Sequence, residues 1–354
     1  MTKTALHWMN SATIVSPDQL FGRYRTRIDA ALARAIEGPD LPPYIMARYQ
    51  LGMVDESGNE VDADRGKALR PTLCLLMCEA LGGDVGRALP AAAGLELLHN
   101  FSLIHDDVMD NDRMRRHRPT VWSVWGEAQA INTGDLLHVL AILSVLRNAT
   151  DAGSAQLARD ATEVLATGCG RMTEGQHLDL AFEELEEVTI DEYMAMVGGK
   201  SAALFCVAFE VGAIYSGNDD GLRASCRKFG QALGTAFQIR DDVLGIWGDE
   251  EETGKPVGSD IRKRKKTLPV IHALHDAAPD DRADLARIFA DRTCEPDVSA
   301  TIEILERSDS LGFALREAIR LRDQAQTILE QLPVSDWGRQ AITELAAYIT
   351  VRSK

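Results

Sequence analysis

The 354-residue chain lacks the marks of several large protein classes. Nowhere do several β-branched or aromatic positions alternate with polar ones, so a sheet protein is excluded and the chain reads as all-α. The longest apolar runs, Leu136 to Leu146 and Ala202 to Tyr215, fall short of the ~20 residues a membrane span needs, and each carries His138 or Glu210 inside it. No transmembrane helix is therefore expected. An excess of positive charge is missing too. A formal net charge of −16 argues against a nucleic-acid footprint and against attraction to an anionic membrane, so an anionic substrate would need cations gathered locally. Cysteine is sparse: Cys74, Cys78, Cys169, Cys206, Cys226 and Cys294 form no C-x-x-C pair and follow no signal peptide. They read as buried free thiols in a reducing cytoplasm. No fixed-period repeat and no proline- or glycine-rich linker divides the chain, which reads as a flexible tail over residues 1–17 and a single all-α domain over 18–354.

What is present is helical periodicity. From Asp18, the N-cap candidate, apolar residues recur at helical spacing to Ala35 before Gly38-Pro39 stops the pattern. A short helix over Pro43 to Leu51 leads into a loop from Val54 to Gly66, and helices are predicted over Thr72 to Leu81 and Arg87 to Asp107. Val121 to Thr133 and Gly134 to Arg147 follow, with Gly134 marking a kink or a close contact, and then Ala155 to Glu184. Thr189 with Glu192 three residues on fits a capping box for Thr189 to Tyr215, whose apolar face Lys200-Ser201 interrupts. Leu222 to Trp247 precedes a loop, Gly248 to Thr267, too rich in glycine and charge to pack. Five further helices, from Leu268 to Arg352, complete the chain.

Two of these helices end in carboxylate pairs. Asp106 and Asp110 stand one turn apart on one face, close enough to share a cation, and Asp241-Asp242 closes the later run. If the two helices face each other, they form a two-sided carboxylate cage. Arginine and lysine clusters flank both pairs. Magnesium is usually held by one or two carboxylates plus substrate phosphates, and arginine adds bidentate contacts to the same oxygens. The apolar helix behind the first pair suits a hydrocarbon tail. Taken singly, the aspartate motif would be a solvated acidic turn, Arg262 to Lys266 a surface charge run, and His99 and Phe101 core packing. Their coincidence in one chain carries the reading.

The motifs resemble those of the trans-isoprenyl diphosphate synthases. Asp106-Asp107-Val108-Met109-Asp110 with Arg115-Arg116 is similar to the first aspartate-rich motif, and Gly66 to Pro71 to the G-K-x-x-R-P motif. Gly199 to Leu204 resembles the K-[ST] segment, Phe237 to Asp242 the F-Q-x-x-D-D motif, and Gly254-Lys255 through Pro269 the lysine-bearing loop. The resemblance implies an isoprenoid synthase-type helical bundle around a deep central apolar cavity, acting as a homodimer. It implies that Asp106, Asp110 and Asp241 bind three Mg2+ ions on the allylic diphosphate, which Arg115, Lys200 and Lys255 also hold, with Ser201, Gln238 and Lys265 nearby. Lys67, Arg70, His99 and Arg116 would hold isopentenyl diphosphate. The implied reaction is 1'-4 condensation through ionisation of the allylic diphosphate.

Phe101 and Ser102, just before the first motif, can line the cavity that the growing chain enters. A ring beside a small residue resembles the pattern of geranylgeranyl diphosphate synthases, with farnesyl or longer products as the alternative. In two places the chain departs from the family pattern: Gly245 replaces the usual third aspartate of the second motif, and His117 a usual glycine. A class I terpene cyclase is the nearer rival, but after Asn218-Asp219 its serine and glutamate positions hold Leu222 and Cys226. A non-catalytic partner subunit would be expected to lose phosphate-binding residues that this chain keeps.

Overall fold

Several helices in this chain begin where a side-chain oxygen accepts from the first turn's free N–H groups. In the computed structural model, which describes residues 16–61, 63–217, 219–249 and 256–351, α1 (Pro17–Ala35) starts from a capping box of Ser16 and Gln19 rather than from Asp18. The expected tail otherwise lies outside the described residues. α2 (Pro42–Gln50) and α3 (Leu69–Ala80) follow, and α3 begins inside the basic motif, so that Arg70 and Pro71 belong to its first turn. Asp84 caps α4 (Val85–Met109), the first aspartate helix.

A hairpin of β1 (Met114–Arg115) and β2 (Arg118–Pro119) intervenes before α5 (Val121–Trp125) and α6 (Glu127–Leu146). The break thus falls at Gly126. Gly134, inside α6, is a point of close contact: a Cβ there would lie 2.2 Å from the His105 ring. Counted with its polar first half, α6 has the length and mean apolarity of a helix that could cross a membrane. It packs against α4, however, and its Ala130, Thr133, Leu137 and Leu140 are buried.

Next come α7 (Ala152–Glu184), α8 (Ile190–Lys200) and α9 (Ala202–Tyr215), the last two forming the predicted continuous helix with a 47° bend at Ser201. Every residue of α9 is buried, as a helix apolar on all sides must be. It is the axis against which α3, α4, α7 and α10 (Asp220–Trp247) pack. The charged loop after α10 is not wholly unpacked: α11 (Ser259–Arg262) sits within it and Ile261 is fully buried.

α12 (Leu268–Asp276), α13 (Pro279–Ala290), α14 (Val298–Arg307), α15 (Ser310–Gln331) and α16 (Asp336–Val351) complete an all-α fold. Of the cysteines, all are free and five are buried; Cys294 is exposed.

Candidate active site

The last turn of α4 and the later part of α10 meet at one pocket of about 620 Å³. Asp106 and Asp110 line it from α4, Asp241 from α10, and Asp260 from α11. Asp110 is the C-cap of α4 and its N–H donates to the Asp106 carbonyl (2.8 Å). Carboxylates at a helix C-terminus oppose the helix dipole, so this end of α4 favours a cation. Burial raises the Asp106 pKa; Lys200 opposes that effect and Asp110 adds to it. The donors on both acidic walls are oxygens alone, the set that suits a hard divalent cation. No three acidic, histidine or cysteine side chains among the described residues form a metal-binding group by themselves.

The middle aspartates do other work. Asp107 accepts from Arg115 Nε (2.8 Å) and pairs with Nη2 (2.7 Å), while burial pushes its pKa up to about 6. Asp242 accepts from Tyr193 Oη (2.7 Å), Gln238 Nε2 (2.9 Å) and the Leu268 N–H (3.1 Å), and burial pushes it up to about 7. Each clamps a cation or a donor at the edge of the site.

The bend between α8 and α9 carries Lys200 and Ser201 into the pocket. Lys200 pairs with Asp179 of α7, and Ser201 Oγ donates to Gln238 Oε1 (2.5 Å). The approach of α7 depends on Gly175, where a Cβ would lie 2.0 Å from the Lys200 nitrogen. Burial works against the charge of Lys265, yet Asp179, Asp260, Asp110 and Asp242 together raise its pKa.

On the opposite side Arg70 is half-buried, with Nη1 3.1 Å from His99 Nε2. Burial brings Arg70 down to about 10, with Glu96 opposing, and burial followed by the charges of Arg70, Arg116 and Arg115 keeps His99 neutral. Two buried atoms here, Arg70 Nε and Glu96 Oε2, have no hydrogen-bond partner among the described residues.

Phe101 and Ser102 line the lower wall with Met172, Leu204 and Phe237. The Phe101 ring stacks on His138 (5.2 Å between centroids) and meets His105 edge-on (4.8 Å).

Asp106, Asp110, Asp241, Arg70, His99, Arg115, Arg116, Lys200, Ser201, Gln238, Lys265, Phe101 and Ser102 are thus brought to one pocket. Lys67 is not among its lining residues: its ammonium donates to Tyr348 Oη on α16 and lies over that ring, 4.9 Å from the centroid. Lys255 lies outside the described residues. Sequence reasoning missed Asp112 and Lys263, whose ion pair (2.5 Å) joins the two acidic walls, and Asp260. A second, wider groove of about 810 Å³ lies between α7 and α10 over α9, but it offers balanced charge, with Arg223 paired to Asp160 (3.1 Å) and Arg227 to Glu210 (2.8 Å).

The structural neighbourhood is consistent with this site. The chain resembles the crystal structure of a polyprenyl synthetase from Streptomyces coelicolor A3(2) with a TM-score of 0.88 and 36% identity, covering 94% of this chain and 99% of that one. It is 39% identical over 319 residues to the (2E,6E)-farnesyl diphosphate synthase of Mycobacterium tuberculosis, covering 89% of this chain and 87% of that protein. To the geranylgeranyl diphosphate synthase of the same organism it is 43% identical over 270 residues, 76% of each. The polyprenyl synthetase family profile matches residues 53–305. This chain, with its two acidic walls and bent lysine-bearing helix, therefore belongs to the polyprenyl synthetase family and is a prenyltransferase of the trans-isoprenyl diphosphate synthase kind.

Proposed function

We propose that the protein condenses isopentenyl diphosphate head-to-tail with allylic diphosphates and releases geranylgeranyl diphosphate. The observation that carries the reading is the facing of Asp106 and Asp110 by Asp241 across a pocket that also gathers Arg70, Arg115, Arg116, Lys200 and Lys265. With Lys263 paired to Asp112, five cations remain beside four carboxylates, Asp260 included, an array that suits a diphosphate bridged to the acidic walls by divalent ions, which the overall net charge alone would repel.

In this reading Asp106, Asp110 and Asp241 hold Mg2+, which when bound stabilises negative charge on the departing diphosphate. Lys200 and Lys265 grip the same diphosphate from α9's bend and from the loop after α11, and Lys255 joins them. Arg115, released in part from Asp107, turns a guanidinium to it. Arg70, Arg116 and neutral His99 orient isopentenyl diphosphate, with Lys67 at the rim beside Tyr348. The allylic carbon–oxygen bond breaks with its electron pair leaving on diphosphate. The isopentenyl double bond then supplies the pair for the new carbon–carbon bond, and the released diphosphate accepts the proton. No protein nucleophile takes part.

Phe101, backed by His105 and His138, is the floor that stops growth at geranylgeranyl diphosphate. A homodimer through α6 completes the reading: Ile131, Val139 and Leu146 are 46%, 55% and 44% exposed and share one face of that helix. The test is to incubate the pure protein with Mg2+, isopentenyl diphosphate and, separately, dimethylallyl, geranyl and farnesyl diphosphates, and to identify the products by mass. Geranylgeranyl diphosphate from all three supports the reading. Farnesyl diphosphate as the end point keeps the chemistry and moves the floor, while no elongation overturns it.

A further inference from the structure

The second acidic wall carries one fewer carboxylate on its helix than the first motif's spacing would suggest, because position 245, one turn beyond Asp241, is glycine. The space above that glycine is filled. A Cβ at 245 would lie 2.1 Å from Asp260 Oδ2 and 2.5 Å from its Cγ, closer than any real contact. The carboxylate of Asp260 therefore stands where the first atom of a third helical aspartate would begin. Its loop is tied to α10 there, since the Gly258 N–H donates to the Ile246 carbonyl (3.0 Å) and the Ser259 side chain donates through Oγ to the Gly245 carbonyl (3.2 Å). The Lys265 N–H in turn donates to the Asp260 carbonyl (2.9 Å). Among the described residues no hydrogen bond or ion pair consumes the Asp260 carboxylate, and it lines the same pocket as Asp106, Asp110 and Asp241.

Charge and space together set the two arrangements against each other: with a side chain at 245, the Asp260 carboxylate would have to turn away from the place it holds. Asp241, Asp242 and Asp260 already crowd the end of α10, and a further aspartate at 245 would meet Asp260 within contact distance, where two like charges disfavour each other. Glycine removes both the collision and the repulsion. We infer that Asp260 supplies the third carboxylate of the second acidic wall from the loop side, as a positioning residue that strengthens divalent-cation binding at Asp241, and that Gly245 is the clearance it requires. The inference rests on the synthase reading above.

The test uses the full-length protein saturated with the thiolo analogue of geranyl diphosphate, which binds without ionising. Mn2+ is titrated in and the free ion is read by electron paramagnetic resonance, with isopentenyl diphosphate affinity measured in parallel. Removing a supporting carboxylate typically weakens metal binding about tenfold or more, and Asp260→Asn is expected to do so while leaving isopentenyl diphosphate binding unchanged. Gly245→Ala, whose methyl group lands on the carboxylate, should weaken Mn2+ binding by a similar factor, and the double variant should be no worse than either single one. Placing the carboxylate back on the helix, in Gly245→Asp with Asp260→Ala, which also clears the space above position 245, should recover most of the loss. Unchanged Mn2+ affinity in Asp260→Asn, or effects of the two single variants that multiply, overturns the inference. If Asp260→Asn does not fold, Gly245→Ala decides alone, and wild-type-like Mn2+ binding in it is the contrary result. A wild-type protein that binds neither the analogue nor isopentenyl diphosphate overturns the synthase reading itself, and this inference with it.

Discussion

The two acidic walls reach the same end by different routes. On α4 the carboxylates that face the pocket come from one helix, Asp106 and Asp110, at a spacing of one turn. On the other side α10 provides Asp241, and the next carboxylate arrives from α11 across the gap over Gly245. In both, the aspartate beside the pocket-facing one turns away and clamps: Asp107 onto Arg115, and Asp242 onto Tyr193, Gln238 and the Leu268 N–H. An acidic motif is thus a set of positions in space, and a string of letters records it only when one helix supplies them all.

The sharpest way to break the symmetry is to remove one facing carboxylate from each wall. Asp106→Ala and Asp241→Ala are each expected to lower kcat on the order of a hundredfold or more, because a lost cation contact is worth several kcal/mol in the transition state. Circular dichroism should remain that of the wild type. A variant of either wall that keeps near-normal kcat would show that wall to be a bystander.

The clamping aspartates should separate from the facing ones by stability. Asp242→Ala leaves three donors without their acceptor, and each buried unsatisfied group costs about 1–3 kcal/mol, so a loss of about 3 kcal/mol or more is expected in urea unfolding. Asp107→Ala should cost less, because Arg115 remains partly exposed and can turn to water. Equal losses would mean that the two clamps do the same work.

Below the first wall, Phe101→Ala should change the product rather than the rate. The ring fills space in front of His138 and His105, and its removal opens the pocket toward α6. Products longer than those of the wild type by at least one isoprene unit are expected by mass; an unchanged product would place the floor elsewhere.

How far these features could be read from the sequence depends on what fixes them. The helices were legible because caps and periodicity are local, as with Thr189 and Glu192 at α8. So were Asp106, Asp110, Lys200 and Gln238, which sit within contiguous motifs. Gly134 was ambiguous because a glycine that makes room for a ring and one that breaks a helix look alike in sequence, and only the position of His105 decides. α11 was missed because a single apolar residue, Ile261, anchors it, and its burial is a tertiary fact. Asp260 was missed for the same reason: no local spacing relates it to Gly245. Lys67 was grouped with Arg70 by motif, yet its ammonium lies beside Tyr348 near the other end of the chain.

The smallest effect concerns the turns that hold each wall's loop. Both need a residue in the left-handed region. At the second wall it is Gly258, φ 73°, just before α11. At the first it is the hairpin turn of Arg116, φ 49°, and His117, φ 61°, between β1 and β2. Tight two-residue hairpin turns of this kind require positive φ at both central positions, which glycine accepts without steric cost and other residues do not. Glycine would therefore suit the place of His117 better, and this chain carries strain there instead. The His117 side chain is exposed, so its loss should forfeit little packing. His117→Gly is expected to be more stable by about 0.5–1 kcal/mol, the left-handed cost of an ordinary residue less the added freedom of glycine when unfolded. The affinity for isopentenyl diphosphate should not change, because Arg115 and Arg116 keep their backbone. A less stable variant would mean that the imidazole itself holds the turn, and the first wall would then rest on a contact that the second wall does without.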